Sequence, residues 1–155
     1  MYTLQESARA QRSKMTIRVY ENALPEDALY IRTVVFVEEQ GFRDEFDEID
    51  KTCLHLIAYD DGKPIAVCRC FYEHDVTSWH IGRMAVLKEY RKKGIGSLVM
   101  TKAEEEIVKR GGFEAVLSSQ YPVKGFYEGL GYTAEGDIYL DEDYPHILMR
   151  KRLSV

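Results

Sequence analysis

The densest anion-binding chemistry in the chain is the run Arg91, Lys92, Lys93, Gly94, Ile95, Gly96, Ser97, which follows the apolar stretch Ile81-Gly82-Arg83-Met84-Ala85-Val86. Glycines at 94 and 96 remove the Cβ atoms that would hold a ligand off the backbone, so consecutive amide hydrogens can close around a phosphate. The amphipathic run that starts there adds unpaired N–H groups and the positive end of a helix dipole. Lys88, Arg91, Lys92 and Lys93 concentrate positive charge, although the whole chain carries a formal net charge of -5. A local basic site on an acidic chain implies a small polyanionic ligand rather than nucleic acid. Two other phosphate loops fail on spacing. No Gly-x-x-x-x-Gly-Lys-Ser/Thr run exists, and the third glycine of the dinucleotide fingerprint falls at Val99. From the loop alone, a glycine turn capping an ordinary helix competes with the phosphate reading.

The elements that must position this loop are legible in outline. Residues 16–20 alternate polar and apolar, as in a half-buried strand. From Leu24 the period becomes helical, with Pro25, Glu26 and Asp27 suited to a first turn and an apolar stripe reaching Gly41. The acidic cluster at 44–48 reads as a short helix or loop, either a solvated face or a wall that attracts a cationic amine. A hairpin follows, residues 53–59 and 64–72 about Asp61-Gly62. Centred there, its turn would put Cys53 opposite Cys70 and His55 opposite Cys68 on one face. Four side chains on a flat face converge poorly on a tetrahedron, and there is no Cys-x-x-Cys knuckle, so buried thiols are expected and no metal. Residues 78–87 form a strand, 94–110 a helix ended by Gly111-Gly112, and 113–119 a buried strand. A short helix from Pro122 and strands near 132–136 and 145–153 complete the order.

Two landmarks in this order resemble the GNAT N-acetyltransferase superfamily. Arg-x-x-Gly-x-Gly after Arg83-Met84-Ala85-Val86 is similar to its acetyl-CoA signature, and Phe126-Tyr127-Glu128-Gly129-Leu130-Gly131-Tyr132 to its second motif. The stretches 35–40 and 139–146 resemble the ElaA-like branch, so the resemblance covers about Ile17 to Arg152. It implies an α/β (α+β) fold, a mixed and mostly antiparallel sheet flanked by helices, and direct acetyl transfer from acetyl-CoA to an amine. By resemblance, Met84, Ala85 and Val86 would offer backbone to the pantetheine arm, and the amides of residues 91–97 would take the pyrophosphate. Tyr127 matches the tyrosine that serves the leaving sulfur. The family often has Asn seven residues before it; this chain has Gln120, which keeps the amide.

A neutral amine must attack, so a base or a water chain must take its proton. His80 is one candidate base, because imidazole titrates near neutrality; Glu38, Glu39 and His146 are the others, expected around the acceptor pocket. The acceptor would be a small-molecule or peptide primary amine. A non-catalytic acyl-CoA sensor is the alternative.

The rest of the chain sets bounds. Its 155 residues fit one domain, residues 15–155, behind a polar leader at 1–14. No apolar run approaches the ~20 residues of a membrane span, and the leader has no signal-peptide centre, so a cytoplasmic protein is expected, with no membrane partner. The segment 139–145 and the last strand could pair across a homodimer.

Overall fold

Strand β1 (Met15–Glu21) alternates half-buried and exposed residues, as a sheet edge does, and pairs antiparallel with β2 (Leu54–Asp60). The computed structural model describes residues 14–153, so the expected polar leader lies outside the described residues except for Lys14. Helix α1 (Glu26–Arg32) starts after Pro25 with Glu26 and Asp27 in its first turn. The expected single helix does not continue to Gly41 in α geometry: Thr33–Glu39 is π-helical, and the Gln40 amide reaches back five residues to the Val35 carbonyl at 3.2 Å. A β-branched run, Thr33, Val34, Val35 and Val37, crowds an α-turn and is relieved in a wider one. A 3-10 turn, Glu48–Lys51, then leads to β2, with Asp47 and Asp50 capping each other's backbone.

Strands β3 (Lys63–Glu73), β4 (Ser78–Val86), β5 (Glu114–Gln120), β6 (Thr133–Asp141) and β7 (Tyr144–Arg152) complete a seven-stranded sheet in the order β1-β2-β3-β4-β5-β7-β6. Every neighbouring pair is antiparallel except β4 and β5, which run parallel and pair only at Trp79–Ala115 and His80–Val116. Past those pairs the two strands share no ladder, which leaves a gap in the sheet.

Helix α2 (Ile95–Lys109) lays Ile95, Val99, Met100, Ala103 and Ile107 on one face of the sheet, against Leu56, Cys68 and Cys70. The opposite face, over β2 to β4, is covered by Ala28, Ile31, Val35 and Phe36. Each fully buried aliphatic side chain in these layers contributes roughly 1.5–3 kcal/mol. Helix α3 (Lys124–Gly129) joins β5 to β6. Among the described residues no helix is long and apolar enough to cross a membrane.

The β2–β3 hairpin turns at Asp61 and Gly62, both with positive φ, as Asp-Gly predicts. Its register differs from the expected one. A bulge between Ala58 and Tyr59 shifts the ladder, so Leu54 and Leu56, not Cys53 and His55, oppose Cys70 and Cys68. Pro64 has no N–H for the ladder, and a one-residue slip exchanges the faces. Cys68 and Cys70 therefore point toward α2, away from His55. Strand β6 is also longer than expected, because the chain resumes pairing after a bulge at Gly136, φ +72°.

Candidate active site

The basic loop sits where β4 ends. Lys92 at φ +64° and Gly94 at φ +78° turn the backbone twice into the left-handed region, making a concave row of amides. Nothing lies within 4 Å of a Cβ built on Gly94, so its φ demands glycine while its outer face stays open. Gly96 does something else: a Cβ there would stand 3.2 Å from Phe126 Cζ, so this glycine lets α2 pack against α3. Ile95 is buried and anchors the loop, whereas Lys92 and Lys93 are exposed and Ser97 half-buried. An open amide cradle with two exposed lysines fits a phosphate-bearing ligand.

Arg91 is fixed on three sides. Its Nε donates to the Val86 carbonyl at 2.9 Å, and its two Nη groups donate to Glu39 at 2.7 and 2.8 Å. That paired hydrogen bond holds the Glu39 carboxyl below the usual range, so Glu39 is an anion with both oxygens engaged. Glu39 thus stands at the basic loop, and both it and its neighbour Glu38 are exposed.

On the far side of the gap, Gln120 closes β5 and lies opposite His146 on β7, which in turn lies opposite Tyr139 on β6. Gln120 Nε2 donates to Gln40 Oε1 at 2.7 Å. His146 Nδ1–H donates to the Tyr144 carbonyl at 2.8 Å, which leaves a lone pair on Nε2 in the neutral ring. Rings of Phe42, Tyr139 and Tyr144 surround that imidazole at 5.9–6.4 Å. The β6–β7 tip is tied across the groove: Glu142 accepts the Arg43 and Asp44 amides at 2.8 and 3.2 Å.

His80 shares this sheet face but sits in the paired part of β4. It stacks on Phe71 at 5.1 Å, with Nε2 3.0 Å from Glu73. Burial lowers its pKa and Glu73 opposes that shift. The structure therefore brings Gln120 and His146 together and leaves His80 further down the strand.

Tyr127 on α3 packs with Met84 and Val86 against the core. Its pKa lies well above the usual tyrosine range, because burial and the nearby Cys68 disfavour the phenolate. Cys68 stands opposite the irregular part of β4, where Val67 pairs with Ala85 but Arg69 with Gly82. One extra residue bulges there, and Arg83 takes φ +52°. The bulge and Tyr127 are thus neighbours.

The acidic cluster is not a free wall. Glu45 and Asp50 hold Arg32 at 2.8 and 2.7 Å, Asp47 and Asp50 hold Arg69 at 2.6 and 2.9 Å, and Glu45 meets Arg83 at 3.1 Å. Burial raises the Glu45 pKa; burial also raises that of Asp50, but hydrogen bonds from Arg32 outweigh it and bring Asp50 to about 2. Arg32, Arg69 and Arg83 were missed as a group, though each is a charge within two residues of buried apolar ones along the chain, Ile31, Cys68 and Cys70, and Ala85 respectively. Asp50, Cys53 and His55 offer ligand atoms within 4.8 Å of one another. The arginines already occupy the Asp50 oxygens and would repel a cation.

Residues 16–132 match the acetyltransferase (GNAT) family. Bacillus subtilis YjcF, an uncharacterized N-acetyltransferase, is 31% identical over 128 residues, covering 81% of this chain and 90% of YjcF. An acyl-CoA N-acyltransferase from Pseudomonas aeruginosa superposes with a TM-score of 0.79 at 27% identity, over 88% of this chain and 99% of that one. Escherichia coli ElaA shares the fold, with a TM-score of 0.81 at 23% identity, over 89% of this chain and 99% of its own.

Proposed function

The chain belongs to the acetyltransferase (GNAT) family, and we propose that it moves an acetyl group from acetyl-CoA directly to a primary amine of a small molecule or peptide. The observation that carries this reading is the amide cradle at residues 91–97, opening at the end of β4 where β4 and β5 part. Acetyl-CoA supplies an activated acyl carbonyl and a thiol leaving group. The cradle, Lys92 and Lys93 hold its phosphates, and the edge of Met84, Ala85 and Val86 that faces away from β3 lines the arm, with Gln120 facing it from β5.

His146 is the base in this reading. Its Nδ1–H is held by a backbone carbonyl, so Nε2 takes the amine proton as the N–C bond forms. Tyr127 is protonated until the C–S bond breaks, then gives its proton to the departing sulfur and is reprotonated from solvent. Phe42, Tyr139 and Tyr144 give the acceptor groove aromatic walls. The acids at 45, 47 and 50 are occupied by arginines, so a cationic acceptor is recognised by those walls rather than by the acidic cluster.

Calorimetric titration with acetyl-CoA, followed by thiol release with a panel of primary amines, tests the proposal. Micromolar binding and amine-dependent release are expected. No binding at millimolar acetyl-CoA would sink it.

A further inference from the structure

The end of the π-helical segment lies across the gap between β4 and β5, and its last side chains hold one bank each. Glu39 receives both Nη groups of Arg91, whose Nε is bonded to Val86, the last residue of β4. Gln40, the next residue, accepts the side-chain amide of Gln120, the last residue of β5, at 2.7 Å. The ladder between the strands ends at His80 and Val116. The far ends lie six residues on along β4 and four along β5, about 20 and 13 Å at a strand's rise. No sheet hydrogen bond sets their separation. Two adjacent residues, with Cα atoms about 3.8 Å apart, tie one bank to the other at this point, next to the Glu142 contacts with the Arg43 and Asp44 amides.

We propose that Glu39 and Gln40 form a strap that fixes the width of the acyl-CoA cleft, as positioning residues acting through Arg91 and Gln120. The proposal rests on the acyl-CoA reading of that cleft. The strap exists because the helix changes pitch: the Gln40 amide bonds to the Val35 carbonyl, five residues back, in the kind of turn that clusters at functional sites. Glu39 also sets where the Arg91 charge stands relative to the amide cradle. With the strap cut on one side, β5 loses its side-chain tie to Gln40, and the cofactor arm has to order the gap as it binds.

The test titrates coenzyme A by calorimetry into the wild type, Gln40→Met, Gln120→Met and the double variant, with melting temperatures measured alongside. Methionine keeps the volume of glutamine but accepts no comparable hydrogen bond. Gln40→Met is expected to weaken coenzyme A roughly fivefold, as the loss of one side-chain hydrogen bond allows, with melting within about 2 °C of wild type. In the Gln120→Met background the same change has no further effect, because the two residues act through one contact. Glu39→Gln, which loses the charge on the other bank, weakens binding as well. Wild-type affinity in Gln40→Met, or losses that simply add in the double variant, would overturn the strap while the cleft assignment stands. A lower melting temperature with unchanged affinity would make Gln40 structural only. If the wild type does not bind coenzyme A, the acyl-CoA reading falls and takes the strap with it.

Discussion

Arg83, held at φ +52° in the β4 bulge, donates both Nε and Nη2 to the Glu45 carbonyl at 3.1 Å. A non-glycine residue in that region costs on the order of 1–3 kcal/mol unless its surroundings impose it. Here they do, since the acidic segment grips the side chain and is itself clamped by Arg32 and Arg69. Arg83→Ala keeps the strained backbone but loses the grip, and leaves the buried Glu45 with one partner fewer. A loss of about 2 kcal/mol by urea denaturation is expected. The bulge lies beside Tyr127, so kcat falls more than the remaining stability explains. A wild-type kcat in a well-folded Arg83→Ala protein would show that the bulge holds its shape unaided.

The same network gives stability a pH dependence with opposed parts. The folded-state pKa of Asp50 is depressed to about 2, so its stabilisation is fully present above its unfolded pKa of 3.8 and fades as pH falls toward 2. Glu45 is raised by burial, so protonating it in acid removes a penalty and works the other way. Asp50→Asn should therefore be less stable than wild type at pH 7 and show a shallower decline between pH 4 and 2. Denaturant midpoints across that range check it. A decline as steep as wild type would move the acid sensitivity to another carboxylate.

The parts of this site that were legible in sequence are those built by contiguous chain chemistry. Arg91 to Ser97 could be read because glycine and basic side chains shape a loop locally, and Tyr127 because a motif marks it. The Arg32, Arg69 and Arg83 network pairs residues with partners up to 38 positions away, and periodicity carries no such information. The π-turn at Thr33–Glu39 was read as α-helix because seven residues are too few to separate the two periods. The hairpin turn was read correctly and its register was not, since one bulge beside Pro64 is enough to exchange the faces.

Gly112 is a packing position, unlike Gly111 beside it. A Cβ on Gly112 would overlap Ile107 and stand 2.6 Å from Trp79 Cδ1, whereas at Gly111 nothing lies within 4 Å. Overpacking of this kind costs about 1–3 kcal/mol, so Gly112→Ala should lower the melting temperature by roughly 2–10 °C. Coenzyme A affinity, read at the other end of α2, should be unchanged. A thermal scan with a coenzyme A titration separates the two, and an unaltered melting temperature would mean that Trp79 has room to move.

His146 and His80 are distinguishable as bases by the kcat of their variants. His146→Gln keeps a polar side chain but no proton acceptor of comparable basicity, and kcat should fall about 100-fold. His80→Asn should keep a near-wild-type kcat, because His80 is engaged by Glu73 in the paired part of β4. The reverse outcome would reassign the base to His80, whose pKa burial lowers against the pull of Glu73.

Tyr127 is the complementary case, a group that must keep its proton until the C–S bond breaks. Burial and the Cys68 thiol push its pKa above the usual tyrosine range, so no basic limb from this hydroxyl should appear in kcat below pH 10. Tyr127→Phe removes the donor without emptying the space, because the ring keeps its edge contacts with Phe126 at 4.9 Å and Tyr132 at 6.1 Å. Coenzyme A should then bind within about twofold of wild type while kcat drops roughly 100-fold, the size expected for losing general acid assistance to a leaving group. The loss should shrink for acyl donors whose thiol is more acidic, since those leave without a proton. If Tyr127→Phe loses the same factor with every donor, the hydroxyl positions the arm rather than protonating the sulfur.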